Sequence, residues 1–159
     1  MVIGIFAMAL VLVSLDLWIK MWASDYLQSV GTIPLIDGVF HLTYVENRGA
    51  VAGILQGKQI FLIVVTAVIL LALAAALLLK KVPGKILPWC FGLIIGGGIG
   101  NLIDRILYGY VRDFFYIVLI HFPIFNVADI CVTGSAAAAV ILLFTVYRND
   151  DFTFLKKER

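Results

Sequence analysis

Charge is what this sequence is short of. Asp, Glu, Lys and Arg make up 14% of its 159 residues, where a soluble domain carries about a quarter. So little polar material cannot clothe a water-soluble globule, and a chain of this length is expected to form one domain, residues 1–159. Cysteine is nearly missing as well. Cys90 and Cys131 both sit in apolar runs, in opposite leaflets on the topology below and at no metal-ligand spacing. A disulfide framework is therefore not expected, and both read as small buried apolar groups. Histidine is limited to His41 and His121, with no His-Glu metal motif, and Ser14, Ser24, Ser29 and Ser135 have no arranged base. Zinc hydrolysis and serine nucleophiles are thus without their parts, and no cofactor, metal or nucleic-acid partner is expected.

What is present is apolar sequence, 63% of the chain at a mean hydropathy of +1.08. A membrane-crossing helix needs about 20 mostly apolar residues. Residues 2–23, 60–79, 86–103 and 130–147 meet that length, leaving segments 24–59 and 104–129 between spans. No basic stretch precedes the first run, and Asp16 and Lys20 break a cleavage layout, so that segment is expected to be retained rather than removed as a secretory signal. Asp16 and Lys20 stand one helical turn apart, acid first, and are expected to pair. Trp18, Trp22 and Tyr26 read as an interfacial aromatic belt. Lys80, Lys81 and Lys85 follow the second span, and Arg148, Lys156, Lys157 and Arg159 follow the last. Basic clusters mark the cytoplasmic side. An even number of spans lies between them, so four spans with both termini inside are expected, with segments 24–59 and 104–129 outside.

The Gly92–Gly100 run lacks the Lys-Ser or Lys-Thr of a phosphate-binding loop, and Asn101 breaks a dinucleotide fingerprint. Gly92, Gly96 and Gly100 recur every four residues, which lets membrane helices approach closely. Residues 39–45 alternate, with Phe40, Leu42 and Tyr44 on one face of a short strand.

Residues 110–130, YVRDFFYIVLIHFPIFNVADI, are apolar but too short between charges to span, and Pro123 interrupts them. Asp113 and Asp129 stand at the two ends of this excursion, at one depth on one side. Acids near hydrocarbon are costly, and unless paired they are usually functional. A salt bridge to Arg105 or Arg112 is the plain alternative, as is a helix cap at Asp129. Asn101 and Asp104 share a helix face, with Arg105 free to neutralise Asp104 or reach to headgroups, as an interfacial cap or as support for a site. Two close carboxylates share a proton, so one can draw a proton from water while the other donates to a carbonyl.

Five segments in series carry a family resemblance: Asp16 to Lys20, Asn47-Arg48-Gly49-Ala50, Gly100 to Arg105, Tyr110 to Phe114, and Phe122 to Asp129. In order and spacing the chain resembles the bacterial signal peptidases II, the lipoprotein signal peptidases. The resemblance implies four transmembrane helices with a small extracytoplasmic β-cradle and a short external helix. It implies Asp113 and Asp129 as the catalytic pair. Asn47, Gly49, Asn101, Asp104, Arg105, Asn126 and Ala128 would line or brace the site, and Asp16 and Lys20 match the polar positions of the first helix. Ala52 stands where the family usually has an aromatic residue. The implied substrate is a diacylglyceryl-modified prolipoprotein cleaved before its lipidated cysteine, in the bacterial cytoplasmic membrane near its outer face, by an enzyme expected to be a monomer among membrane lipids. The other readings of the acids are a small transporter relaying protons or cations through Asp16, Asp113 and Asp129, a Mg²⁺-dependent lipid-modifying enzyme, and a purely structural bundle.

Overall fold

The computed structural model describes residues 1–50 and 54–147. Four long apolar helices dominate: α1 (Val2–Val30), α2 (Gln59–Leu78), α3 (Leu87–Tyr108) and α4 (Val127–Thr145). Three strands, β1 (Thr32–Ile36), β2 (Phe40–Asn47) and β3 (Val111–Ile117), form an antiparallel sheet in the order β1-β2-β3. A single 3-10 turn, Val118–Ile120, follows β3.

Helix α3 is the centre of the bundle and packs against the other three. Its glycines make that possible. A Cβ at Gly92 would strike the Ile5 side chain, and one at Gly100 would strike the Asp16 carboxylate. At Gly96 a Cβ would lie 3.0 Å from the Ala9 carbonyl. The four-residue repeat read in the sequence is therefore the seam with α1. The intervening glycines serve the other neighbours: Gly97 lies against the Ala128 backbone of α4, and Gly98 against Leu70 of α2. Close backbone approach replaces the hydrophobic effect as the source of helix cohesion in lipid. The outer faces of the helices remain apolar and exposed, as at Ile3, Leu10, Ile60, Val68, Leu71 and Phe144.

Two helices outrun their expected spans. Helix α1 continues to Val30, where Gly31 takes φ 84° and ends it. Helix α3 continues to Tyr108, so Asp104 and Arg105 lie in its last turns rather than in a loop. Residues 23–30 of α1 support the sheet: Ala23, Leu27 and Phe114 form a buried cluster packed by Leu42 and Tyr44. The alternation at residues 39–45 is thus a strand whose inward face is the one expected. The strand β1 carries Pro34 and sits at the sheet edge, where a missing N–H costs no ladder bond. The pairing of β2 with β3 shifts between Leu42 and Val45, a bulge that lies beside Asp113. The expected external helix after Arg48, with Ala52, falls on residues 51–53, outside the described residues, and residues 54–57 form turns. Cys90 and Cys131 are free thiols near the starts of α3 and α4, opposite ends of the bundle.

Candidate active site

Two acids with their amide partners lie where the sheet meets the ends of α3 and α4. Helix α4 begins there with a reciprocal cap. The Asn126 side-chain oxygen accepts from the Asp129 N–H at 2.9 Å, and the Asp129 carboxylate accepts from the Asn126 N–H at 3.1 Å. This fixes Asp129 in the first turn, at the positive end of the helix dipole. Asp113 comes from β3, whose first four residues, Val111 to Phe114, are all buried.

Asn126 joins the two acids. Its Nδ2 donates to Asp113 Oδ1 at 2.6 Å and lies 3.1 Å from Asn101 Oδ1. Asn101 Nδ2 in turn donates to the other Asp129 oxygen at 2.8 Å. On the far side, Asn47 Nδ2 donates to Asp113 Oδ2 at 2.9 Å. Asn47 is held by the Gly49 N–H at 3.0 Å, and Arg105 Nη2 donates to the Gly49 carbonyl at 3.2 Å. Among the described residues neither Asp113 nor Asp129 has an ion-pair partner. The salt bridge to Arg105 or Arg112 weighed from the sequence is absent there. Burial, and then the neighbouring Asp129 charge, push the Asp113 carboxyl up to about 7, although Asn47 and Asn126 favour its ionised form.

The cations serve a different acid. Arg112 Nη2 and Nε donate to the two Asp104 oxygens at 2.7 and 3.2 Å, and the Arg112 N–H adds a third bond at 3.0 Å. Arg105 does not neutralise Asp104, contrary to one sequence reading. Adjacent helix residues point about 100° apart, whereas Gly109, with φ 77°, turns the chain so that Arg112 reaches back. Lys20 lies 2.7 Å from Asp16 as expected, 3.5 Å from Asp104, and donates to Asn101 Oδ1 at 2.7 Å. Asp16 Oδ1 accepts from the Ala128 N–H at 3.0 Å and so fastens the first turn of α4 to α1. Asp16, Lys20 and Asp104 are all 0% exposed. These charges are a brace behind the acids, and Asn101 is the contact between brace and pair.

Every residue singled out from the sequence thus falls in one connected network. What the sequence did not reveal is Arg112 as the partner of Asp104, and Asn126 as the bond between the acids. The Asn-x-x-Asp spacing of a capping box was a visible signal for the second. Two cavities share Asn47, Pro123 and Ile124 in their walls. One, of about 360 Å³, lies on the Asp113 side with Glu46, Arg48 and His121. The other, of about 310 Å³, lies on the Asp129 side with Arg105, Phe122, Phe125 and Thr133. No cluster of three or more metal-ligating side chains occurs among the described residues.

Four membrane-length helices under a small sheet, with acids held by neutral amides at their junction, have the makings of a membrane-embedded aspartic peptidase. The chain belongs to the signal peptidase II family, whose model, described as signal peptidase (SPase) II, matches residues 8–146. It is 42% identical over 134 residues to a lipoprotein signal peptidase of Clostridium acetobutylicum, covering 82% of this chain and 86% of that one. To the lipoprotein signal peptidase of Brevibacillus brevis it is 43% identical over 144 residues, covering 89% and 93%. A solved structure described as a bacterial membrane enzyme superposes with a TM-score of 0.79 at 29% identity, covering 91% of this chain and 94% of that one. A second, similarly described, gives 0.76 at 27%, covering 96% and 93%. Membership of a peptidase family sets aside the transporter alternative.

Proposed function

We propose that the chain removes the signal peptide from diacylglyceryl-modified prolipoproteins, cleaving before the lipidated cysteine with water activated by Asp113 and Asp129. The observation that carries this reading is the bond pattern at Asn126: it holds both acids, while neither has a cation within ion-pair distance among the described residues. Two neighbouring carboxyl groups with no cation in direct contact retain one proton between them. We assign that proton to Asp113, whose carboxyl is raised to about 7 by burial and then by the neighbouring Asp129 charge.

The chemistry then balances within the pair. Ionised Asp129 takes a proton from water as the water oxygen bonds to the scissile carbonyl carbon. Asp113 gives its proton to the carbonyl oxygen, and a neutral gem-diol results. When the C–N bond breaks, Asp129 passes its proton to the leaving amine, and a gem-diol hydroxyl returns one to Asp113. Asn47, Asn101 and Asn126 orient the two carboxylates, Gly49 holds Asn47, and Arg105 holds Gly49. Asp16, Lys20, Asp104 and Arg112 supply the brace, and Ala128 ties it to α4. The more apolar cavity beside Asp129 suits the membrane-borne part of the substrate, and the one beside Asp113, with Glu46, Arg48 and His121 in its wall, suits the chain that follows it. The acids work next to hydrocarbon because the scissile bond of a lipid-anchored substrate is delivered there.

Cleavage of a lipidated prolipoprotein by purified protein tests the proposal. Asp113→Asn and Asp129→Asn should each lower turnover at least about 1,000-fold, in the range lost when one member of a catalytic unit is removed, while both variants remain folded and inserted. Turnover within tenfold of wild type in either variant contradicts it.

A further inference from the structure

The end of the bundle away from the acids carries a second kind of site. Where α1 begins, α2 ends and α3 begins, a cavity of about 550 Å³ is lined by Val2, Ile3, Leu77, Val82 and Pro88, with Lys80 at its margin. That volume lies within the range of small-molecule sites. Lys80 is placed there by an unfavourable backbone. Its N–H bonds the Leu77 carbonyl at 3.1 Å and the Lys81 N–H bonds the Ala76 carbonyl at 2.9 Å, which closes α2 with Lys80 at φ 54°. Glycine is the usual occupant of this left-handed closing position, and an L side chain there is strained. A lysine in that place spends stability to hold a cation at the cavity margin.

Lys81 and Lys85 stand close by in the same connection, both exposed. No acidic residue occurs before Asp16, or between Glu46 and Asp104, so α1, α2 and the start of α3 bring no carboxylate to this end. An apolar wall beneath a cationic margin that meets no carboxylate among the described residues is complementary to one class of molecule in a bilayer.

We propose that this cavity binds an anionic phospholipid, with an acyl chain along Ile3, Leu77 and Val82 and the headgroup phosphate at Lys80. Lys81 and Lys85 add long-range attraction, as juxtamembrane lysines do toward acidic headgroups. The site is remote from the acids and does not depend on the peptidase chemistry.

Soft-ionisation mass spectrometry of the full chain, released from detergent with equal phosphatidylglycerol and phosphatidylcholine of identical acyl chains, reads the preference directly. Wild type should retain one phosphatidylglycerol in preference to phosphatidylcholine, and millimolar inorganic phosphate should not displace it. Lys80→Gly should reduce the preference about fivefold, yet melt no lower than wild type in lipid-free detergent, because glycine relieves the left-handed backbone. Lys80→Arg should keep the preference, and both variants should retain wild-type prolipoprotein cleavage in detergent. Equal retention of the two lipids, undiminished preference in Lys80→Gly, displacement by free phosphate, or a dimer in place of the lipid adduct would each overturn the proposal.

Discussion

At the scale of the residue, the site turns on which acids are neutralised. Asp104 and Asp16 have cations within 2.7 Å, whereas Asp113, 1% exposed, is met only by amides. The sign of the consequence is definite. Asp113 titrates near 7 in the folded state against an ordinary 3.8, so the fold holds a proton that the unfolded chain has released between those values. Stability falls as pH rises across that window and levels off above about 7. Asp113→Asn lacks the penalty. Its unfolding free energy relative to wild type should therefore shift in the variant's favour by a few kcal/mol between pH 4 and pH 8. Denaturant titrations at both pH values measure this, and a constant difference contradicts it. The two acids were legible in the sequence as chemistry, since carboxylates in apolar surroundings are conspicuous. Their partners were less so: Arg105 is next to Asp104 in the chain but faces elsewhere, while Arg112 reaches it only through the turn at Gly109.

At the scale of the element, α3 organises everything else. Its glycines were legible as a packing seam, but periodicity assigned only one of three contacts. Gly97 and Gly98 carry no four-residue repeat with the others, and their neighbours depend on where α4 and α2 arrive. They also differ in what a methyl group would meet. At Gly97 it would lie 2.6 Å from the Ala128 carbonyl, rigid backbone in the first turn of α4. At Gly98 it would lie 2.6 Å from Leu70 Cδ2, the far end of a side chain that can rotate. Gly97→Ala should cost about 3 kcal/mol and also activity, by displacing Asp129, whereas Gly98→Ala should cost about 1 kcal/mol and spare activity. Thermal denaturation with parallel cleavage assays distinguishes them, and equal effects would show the α3–α4 contact to be compliant. The strands were harder to read than the helices. Strand β3 is buried from Val111 to Phe114, so it shows no alternation, and β1 is five residues with a proline.

At the scale of the whole molecule, four helices and an intervening sheet form a support that brings β3 and α4 together. An even number of spans would return the chain to the side from which it started, and we propose from Lys80, Lys81 and Lys85 that this side is cytoplasmic. Reporter fusions should accordingly be active in the cytoplasm when placed after Lys85 and in the exterior when placed after Gly38; the reverse pattern contradicts the orientation. The basic residues from Arg148 onward lie outside the described residues, so the tail's contribution rests on sequence alone. The account as a whole depends on one proton shared between two acids, and infrared difference spectroscopy of wild type against Asp113→Asn observes that proton directly. A protonated-carboxyl band should be present at pH 6, fade through about pH 7, and be missing from Asp113→Asn; its midpoint should fall in Asp129→Asn, where the neighbouring charge is gone. A wild-type spectrum in which both carboxyl groups are already ionised at pH 6 would contradict the account.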